Sequence, residues 1–228
     1  MKVTIHQPNF FPYPGFFQKL LLADKLVLLD DVQFEFGITN RNKILSPDGN
    51  WTRITVPVKD GQKFLPINQV EIDNDVSWKE KNLEKLSTSY ENTSYFHLYD
   101  EYLKNIFTKN WNMLFEINFE TLKQTISWLN LDVEIIKESE LNVKGNSTEK
   151  LVNICKSLDA DDYISGIGGK NYLNEELFLK NNIILHYHEY SPIIYPQHNS
   201  ESFLPNMSIL DLLANMGPES QKLLKDYS

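Results

Sequence analysis

The sequence predicts an α/β fold, a mostly parallel sheet carrying a β-hairpin and a helical insertion, and three observations lead there. Val3 and Ile5 are good strand formers, Pro8, Pro12 and Pro14 end regular pairing after them, and Gly15 opens an apolar run, so the chain starts as strand, loop and helix. Leu26 to Leu29 is a continuous apolar run closed by Asp30 and Asp31, which completes the strand, helix, strand order of a parallel βαβ unit. The same alternation returns in the last third of the chain. Ligands of such sheets bind beyond the carboxyl ends of the strands, which makes His6, Gln7, Asn9, Asp30, Asp31 and Gln33 candidate site residues, with Gly15 at the helix start.

After Gln33, the turn Ser46-Pro47-Asp48-Gly49 separates two strand-like runs, Asn42 to Leu45 and Trp51 to Val58, and predicts a hairpin at the sheet edge. Asn40, Arg41, Asn42 and Lys43 stand at its entrance, where two cations and two amides would meet the strand ends. A solvated loop is an equally good reading of those four residues taken alone. Lys59 to Pro66 is polar and reads as a mobile loop. Apolar and aromatic residues from Trp78 onwards recur mostly three and four apart, so 76–130 is expected to be a helical insertion or flank of a single domain spanning 1–228. Leu114 to Leu129 continues as a helix, and Val133 to Ile136 reads as a strand.

Asn146-Ser147-Thr148-Glu149 resembles a capping sequence ahead of a helix from Lys150 to Leu158. A strand from Asp162 to Ile164 then runs into Ser165-Gly166-Ile167-Gly168-Gly169-Lys170, with Tyr172 just beyond. A Gly-rich turn after a strand presents backbone N–H groups to an anion, and Lys170 adds a charge. Its spacing fits neither common phosphate-loop pattern, so a structural turn is as good a reading. Ile183 to Tyr187 is a further strand, and Ser208 caps a last helix to Leu213.

Composition narrows the function. With 228 residues, a net charge of -9 and a pI near 5.1, the chain has no general affinity for nucleic acid or anionic membranes, and a small charged ligand is the expected partner. Cys155, the single cysteine, sits in an apolar helical run, which excludes an internal disulfide and argues against thiol chemistry. No signal peptide or membrane-length apolar run is visible, so a cytoplasmic protein without membrane insertion is expected. No HExxH, EF-hand or nucleophile-elbow motif occurs, and nothing points to zinc, haem or flavin. His186 and His188, two apart on a strand, share one face and suit either packing or a ligand.

The strings HQPNFFPYPGFFQK, LVLLDDVQF, NRNKI, WTRITVPV, STEKLVNICK, YISGIGGKNYL, YPQ and MSILDLLANMG occur in this order from His6 to Gly217 and strongly resemble the WbqC-like protein family. One departure is Met207 where leucine is expected. The resemblance implies an enzyme of bacterial surface-polysaccharide (O-antigen) biosynthesis. Its implied reaction is amide formation on an amino-sugar nucleotide, by ATP-dependent ligation or by acyl or aminoacyl transfer. The alternative is a non-catalytic nucleotide-sugar binding or assembly protein. A more distant similarity, strand, histidine, proline loop and Gly15 at a helix start, is to Rossmann-like nucleotidylyl transferases, although Pro14-Gly15-Phe16 stands where their Gly-His would fall. On that footing His6, Lys170 and Asp31 are the expected catalytic residues. Gln7, Asn9, Gly15, Gln33, Asn40, Arg41, Asn42, Lys43, Ser165, Gly166, Gly168, Gly169 and Tyr172 are expected to bind substrate or phosphate, and Asp30 and Asp31 to hold Mg²⁺ with ATP.

Overall fold

The structure, a computed structural model, describes residues 1–227. Strand β1 (Lys2–His6) gives way at Gln7 to the proline loop, and helix α1 (Pro14–Leu21) begins with Pro14 in its first turn, where the missing N–H is no loss. β2 (Lys25–Leu28) follows directly. The hairpin strands β3 (Arg41–Leu45) and β4 (Trp51–Thr55) are next, then α2 (Trp78–Tyr90), α3 (Asp100–Thr108) and α4 (Leu114–Trp128). β5 (Glu134–Lys137), α5 (Glu138–Leu141), α6 (Ser147–Ser157), β6 (Asp162–Gly166), α7 (Glu175–Lys180) and β7 (Ile184–His188) resume the alternation, and α8 (Ile209–Met216) and α9 (Ser220–Asp226) close the chain.

The main sheet has the order β5-β2-β1-β6-β7, and every neighbouring pair in it is parallel. Counted within the sheet this is 3-2-1-4-5, so the direction of winding reverses between β1 and β6. Phe16, Phe17 and Leu20 of α1 join Leu26 and Leu28 in a core on one face, while Val3, Ile5 and Val27 pack on the other face with Leu151, Ile154 and Phe178 of α6 and α7. The alternation of Leu26, Val27 and Leu28 between two cores is the period-two signature of a strand buried on both sides. No helix among the described residues is long and apolar enough to cross a membrane.

The connection from β2 to β5 carries the hairpin and three helices, as the change of periodicity at Trp78 predicts. Three expectations are corrected. The hairpin forms its own two-stranded sheet, seated on the loop after β1 rather than at an edge of the main one, and β4 ends at Thr55, ahead of Pro57, which has no N–H to offer a ladder. It is fixed by side chains instead: Asn42 Nδ2 donates to the carbonyls of Phe10 and Phe11, at 3.3 and 2.7 Å, and Asn82 binds Thr55 through both its amide groups. At α6, Asn146 holds the cap position without a side-chain bond, because Ser147 takes a left-handed φ of 49° and Thr148 Oγ1 accepts instead from the amide of Asn174. Ser208 caps α8 as expected, accepting from Leu210 N at 3.3 Å.

Candidate active site

The reversal of winding leaves a crevice between the carboxyl ends of β1 and β6, the place where open parallel sheets bind ligands. Two adjoining cavities occupy it, and both are walled by Tyr13, Ile167 and Tyr190.

The inner cavity, of about 300 Å³, lies over the sheet itself. His6, at the end of β1, enters it with its ring edge-on to Phe16, the centroids 5.0 Å apart. Burial, reinforced by the charge of Lys19, pulls the His6 imidazole down to about 3, so the ring is neutral near pH 7. Its Nδ1–H donates to the carbonyl of Gln7 at 2.8 Å, an arrangement inferred from the neutral ring. Nε2 is thereby left as an acceptor with no protein partner among the described residues. Ser165, Gly166, Gly168, Gly169 and Tyr172 line the opposite wall. At Gly166 and Gly168 an added Cβ would meet only open space, so these two leave room along the wall, whereas Gly169 is required by the Ser165 side chain packed on it. Gly15 is likewise a packing residue. A Cβ there would approach the rings of Tyr13 and Tyr190 to 2.5 and 2.6 Å, and those rings meet edge-on at 5.1 Å.

The cation of this inner cavity is Lys19. It is only 5% exposed, yet it lines the cavity, and its ammonium makes no hydrogen bond or ion pair among the described residues. Burial draws its pKa down to about 8. His188 completes the lining, its pKa lowered by burial first and by the Lys19 charge second. Lys170 is exposed on the turn after β6, its Nζ 5.3 Å from the centre of the Tyr187 ring, and it does not line the cavity.

The outer cavity, of about 530 Å³, is cationic. Arg41, Lys43 and Arg53, alternating along paired strands of the hairpin, face it together with Asn42 and Asn9. Lys43 Nζ and Arg53 Cζ lie 4.7 and 4.6 Å from the Trp51 ring centre, and none of the three cations is in an ion pair among the described residues. Asn9 is buried, with Oδ1 unpartnered. Asn206 adds a polar group to the rim.

The remaining expected residues stand elsewhere. Asn40 is buried and bonded within the hairpin's base, accepting from Gly37 N and donating to Val56 O. Asp30 is buried with its oxygens accepting from Ser139 N and Oγ, at 2.9 and 2.6 Å, and Asp31 is exposed. Gln7 lines neither cavity, and Gln33 is exposed in an isolated bridge to Pro66. His186 pairs with Asp162 at 2.5 Å, away from His188's position on the cavity. No carboxylate lines either cavity, and the described residues hold no group of three or more His, Cys, Asp or Glu suited to a metal. The crevice therefore does not fit a protein-held Mg²⁺, which takes one or two carboxylates besides phosphate. Sequence reasoning missed Lys19, Arg53 and Tyr190, and named His188 only as one of a pair on a strand face. The signal for Lys19 was a charge inside the apolar helix GFFQKLL.

The model of the WbqC-like protein family matches residues 7–223. The chain belongs to that family. The match begins one residue after His6 and takes in α1 with Lys19, the hairpin and the Gly-rich turn after β6. This WbqC-like protein is also similar to "Uncharacterized protein Rv1507c" of Mycobacterium tuberculosis (strain ATCC 25618 / H37Rv), 27% identical over 227 residues, 98% of this chain and 97% of the relative. No solved structure matches the chain.

Proposed function

We propose that this WbqC-like protein is an enzyme of sugar-nucleotide metabolism, serving bacterial surface-polysaccharide (O-antigen) assembly, that forms an amide by transferring an activated acyl or aminoacyl group to an amino-sugar nucleotide. The observation carrying the proposal is the neutral His6, with a bare Nε2, in a cavity that adjoins three unpaired cations. Arg41, Lys43 and Arg53 match the charge of a nucleotide diphosphate. With the phosphates seated there, the sugar extends past Tyr13 and Tyr190 towards His6. The amine attacks the acyl carbon, the N–C bond forms as the bond to the leaving group breaks, the proton that the nitrogen sheds goes to the departing group, and His6 Nε2 accepts a hydrogen bond from the amine and so orients it. The imidazole is suited to this as a neutral acceptor held in one orientation by Gln7.

The test is a mass measurement on amino-sugar nucleotides incubated with acyl thioesters in one set, and with ATP, Mg²⁺ and glycine in another. A mass gain on the sugar identifies the acyl group and its source. Thermal stabilisation by the sugar nucleotide with no mass gain in either set would replace the enzyme with a binding protein.

A further inference from the structure

We propose that the inner cavity is a carboxylate-binding subsite in which Lys19 is the counter-ion. This deepens the function proposed above, because it names a second anionic group that the crevice accepts besides phosphate. Lys19 is 5% exposed, opens on the cavity, and has no hydrogen-bonding or charged partner among the described residues. An ammonium with so little access to water keeps its charge at a cost, and an anion entering the cavity would offset that cost, which no acid of the chain lining the cavity does.

Charge and size choose the anion. Both histidines on the cavity, His6 and His188, have lowered pKa values, so Lys19 is the one formal charge facing the ligand near neutral pH. A single charge balances a carboxylate and leaves a phosphate dianion half compensated. The three cations of the outer cavity are the better match for phosphate. About 300 Å³ admits a small acid or the acidic end of a larger molecule, not a nucleotide. The space beside Gly166 and Gly168 and the hydroxyl of Ser165 lie on the same cavity.

Two sources supply this chemistry: a free small acid, and a carboxylate carried by the sugar of a nucleotide-linked uronic acid. Calorimetric binding of acetate, inorganic phosphate, UDP-N-acetylglucosamine and UDP-glucuronate to the wild-type chain and to Lys19→Met separates them. Methionine is of similar length and removes the buried charge, so the variant is expected to fold. Loss of about tenfold or more in acetate affinity in Lys19→Met supports a free-acid subsite, with one charge-assisted contact removed. An equal loss for UDP-glucuronate alone, with UDP-N-acetylglucosamine unchanged, supports the sugar carboxylate. Acetate binding that depends on Lys19 in a chain that binds neither sugar nucleotide supports the subsite and sinks the sugar-nucleotide reading. Equal affinities in the two chains, or a Lys19-dependent preference for inorganic phosphate over every carboxylate, overturn the proposal. A second measurement needs no variant. Acetate affinity should fall between pH 7 and about 9 as Lys19 loses its proton, and a flat profile would count against the assignment.

Discussion

His6 refuses a proton that the unfolded chain accepts. Its pKa is about 3 in the folded protein against an ordinary 6.5, so between these values the unfolded state binds more protons and stability falls as pH drops. His6→Gln should flatten the acid limb of a melting-temperature series from pH 7 to pH 4 and abolish turnover at all of them. An unaltered limb would mean that the ring is hydrated. Arg41 makes a different kind of contribution. Phosphates remote from the bond being formed are held about equally in ground and transition states, so Arg41→Ala should raise the Michaelis constant for the sugar nucleotide more than it lowers kcat. Arg41→Lys should rescue only part of the loss, because a point charge cannot grip two oxygens as a guanidinium does. An unchanged Michaelis constant in Arg41→Ala would return this residue to the solvated face. His6 and Arg41 were legible in the sequence because one closes a strand and the other opens one. Lys19 was passed over, although it is the one charge in an apolar helix, because a lysine there is ordinarily drawn out to solvent along its stem.

The hairpin is the element that brings the outer cations together, and its seat is built from distant parts of the chain. Tyr90 at the end of α2 accepts from Leu45 N at 3.0 Å and donates to Asp211 Oδ1 at 3.0 Å, while Tyr195 and Gln197 donate to Asp211 Oδ2 at 2.7 and 2.8 Å. Asp211 is fully buried on α8, and burial raises its pKa against the opposing pull of those donors. Tyr90→Phe strips an acceptor from a buried amide and a donor from a buried carboxyl, and should cost about 1–3 kcal/mol, read as a lower melting temperature. Because β3 carries Arg41 and Lys43, the same variant should weaken sugar-nucleotide binding although Tyr90 lines neither cavity. Full affinity in a destabilised Tyr90→Phe would show that the hairpin is held without this bond. The turn Ser46 to Gly49 made the hairpin visible from sequence, but a residue separation of 121 between Tyr90 and Asp211 leaves no local pattern for its docking.

Across the whole molecule, the sequence made the strands and their parallel sense visible, since apolar runs alternate with helical periods. It left the strand order hidden, and with it the crevice between β1 and β6, because neighbours in the sheet are set by which helix face meets which core. Charge is distributed on the same scale. The chain carries a net -9, while Arg41, Lys43 and Arg53 gather unpaired at one cavity, so an approaching anion meets long-range repulsion and short-range attraction. Salt separates the two. At about 0.01 M the screening length is roughly 30 Å, larger than the radius of gyration of roughly 17 Å expected for this chain length, and the distant carboxylates are felt. At about 0.1 M it is near 10 Å, which hides them but spares contact pairs, and at about 1 M it is near 3 Å, which weakens those pairs as well. Sugar-nucleotide affinity should therefore rise over the first tenfold rise in salt and fall over the second. Arg53→Ala should shallow the second arm and leave the first alone. A steep loss beginning at the lowest salt would mean that the local cations dominate at every distance, and an affinity indifferent to salt throughout would remove phosphate from the outer cavity.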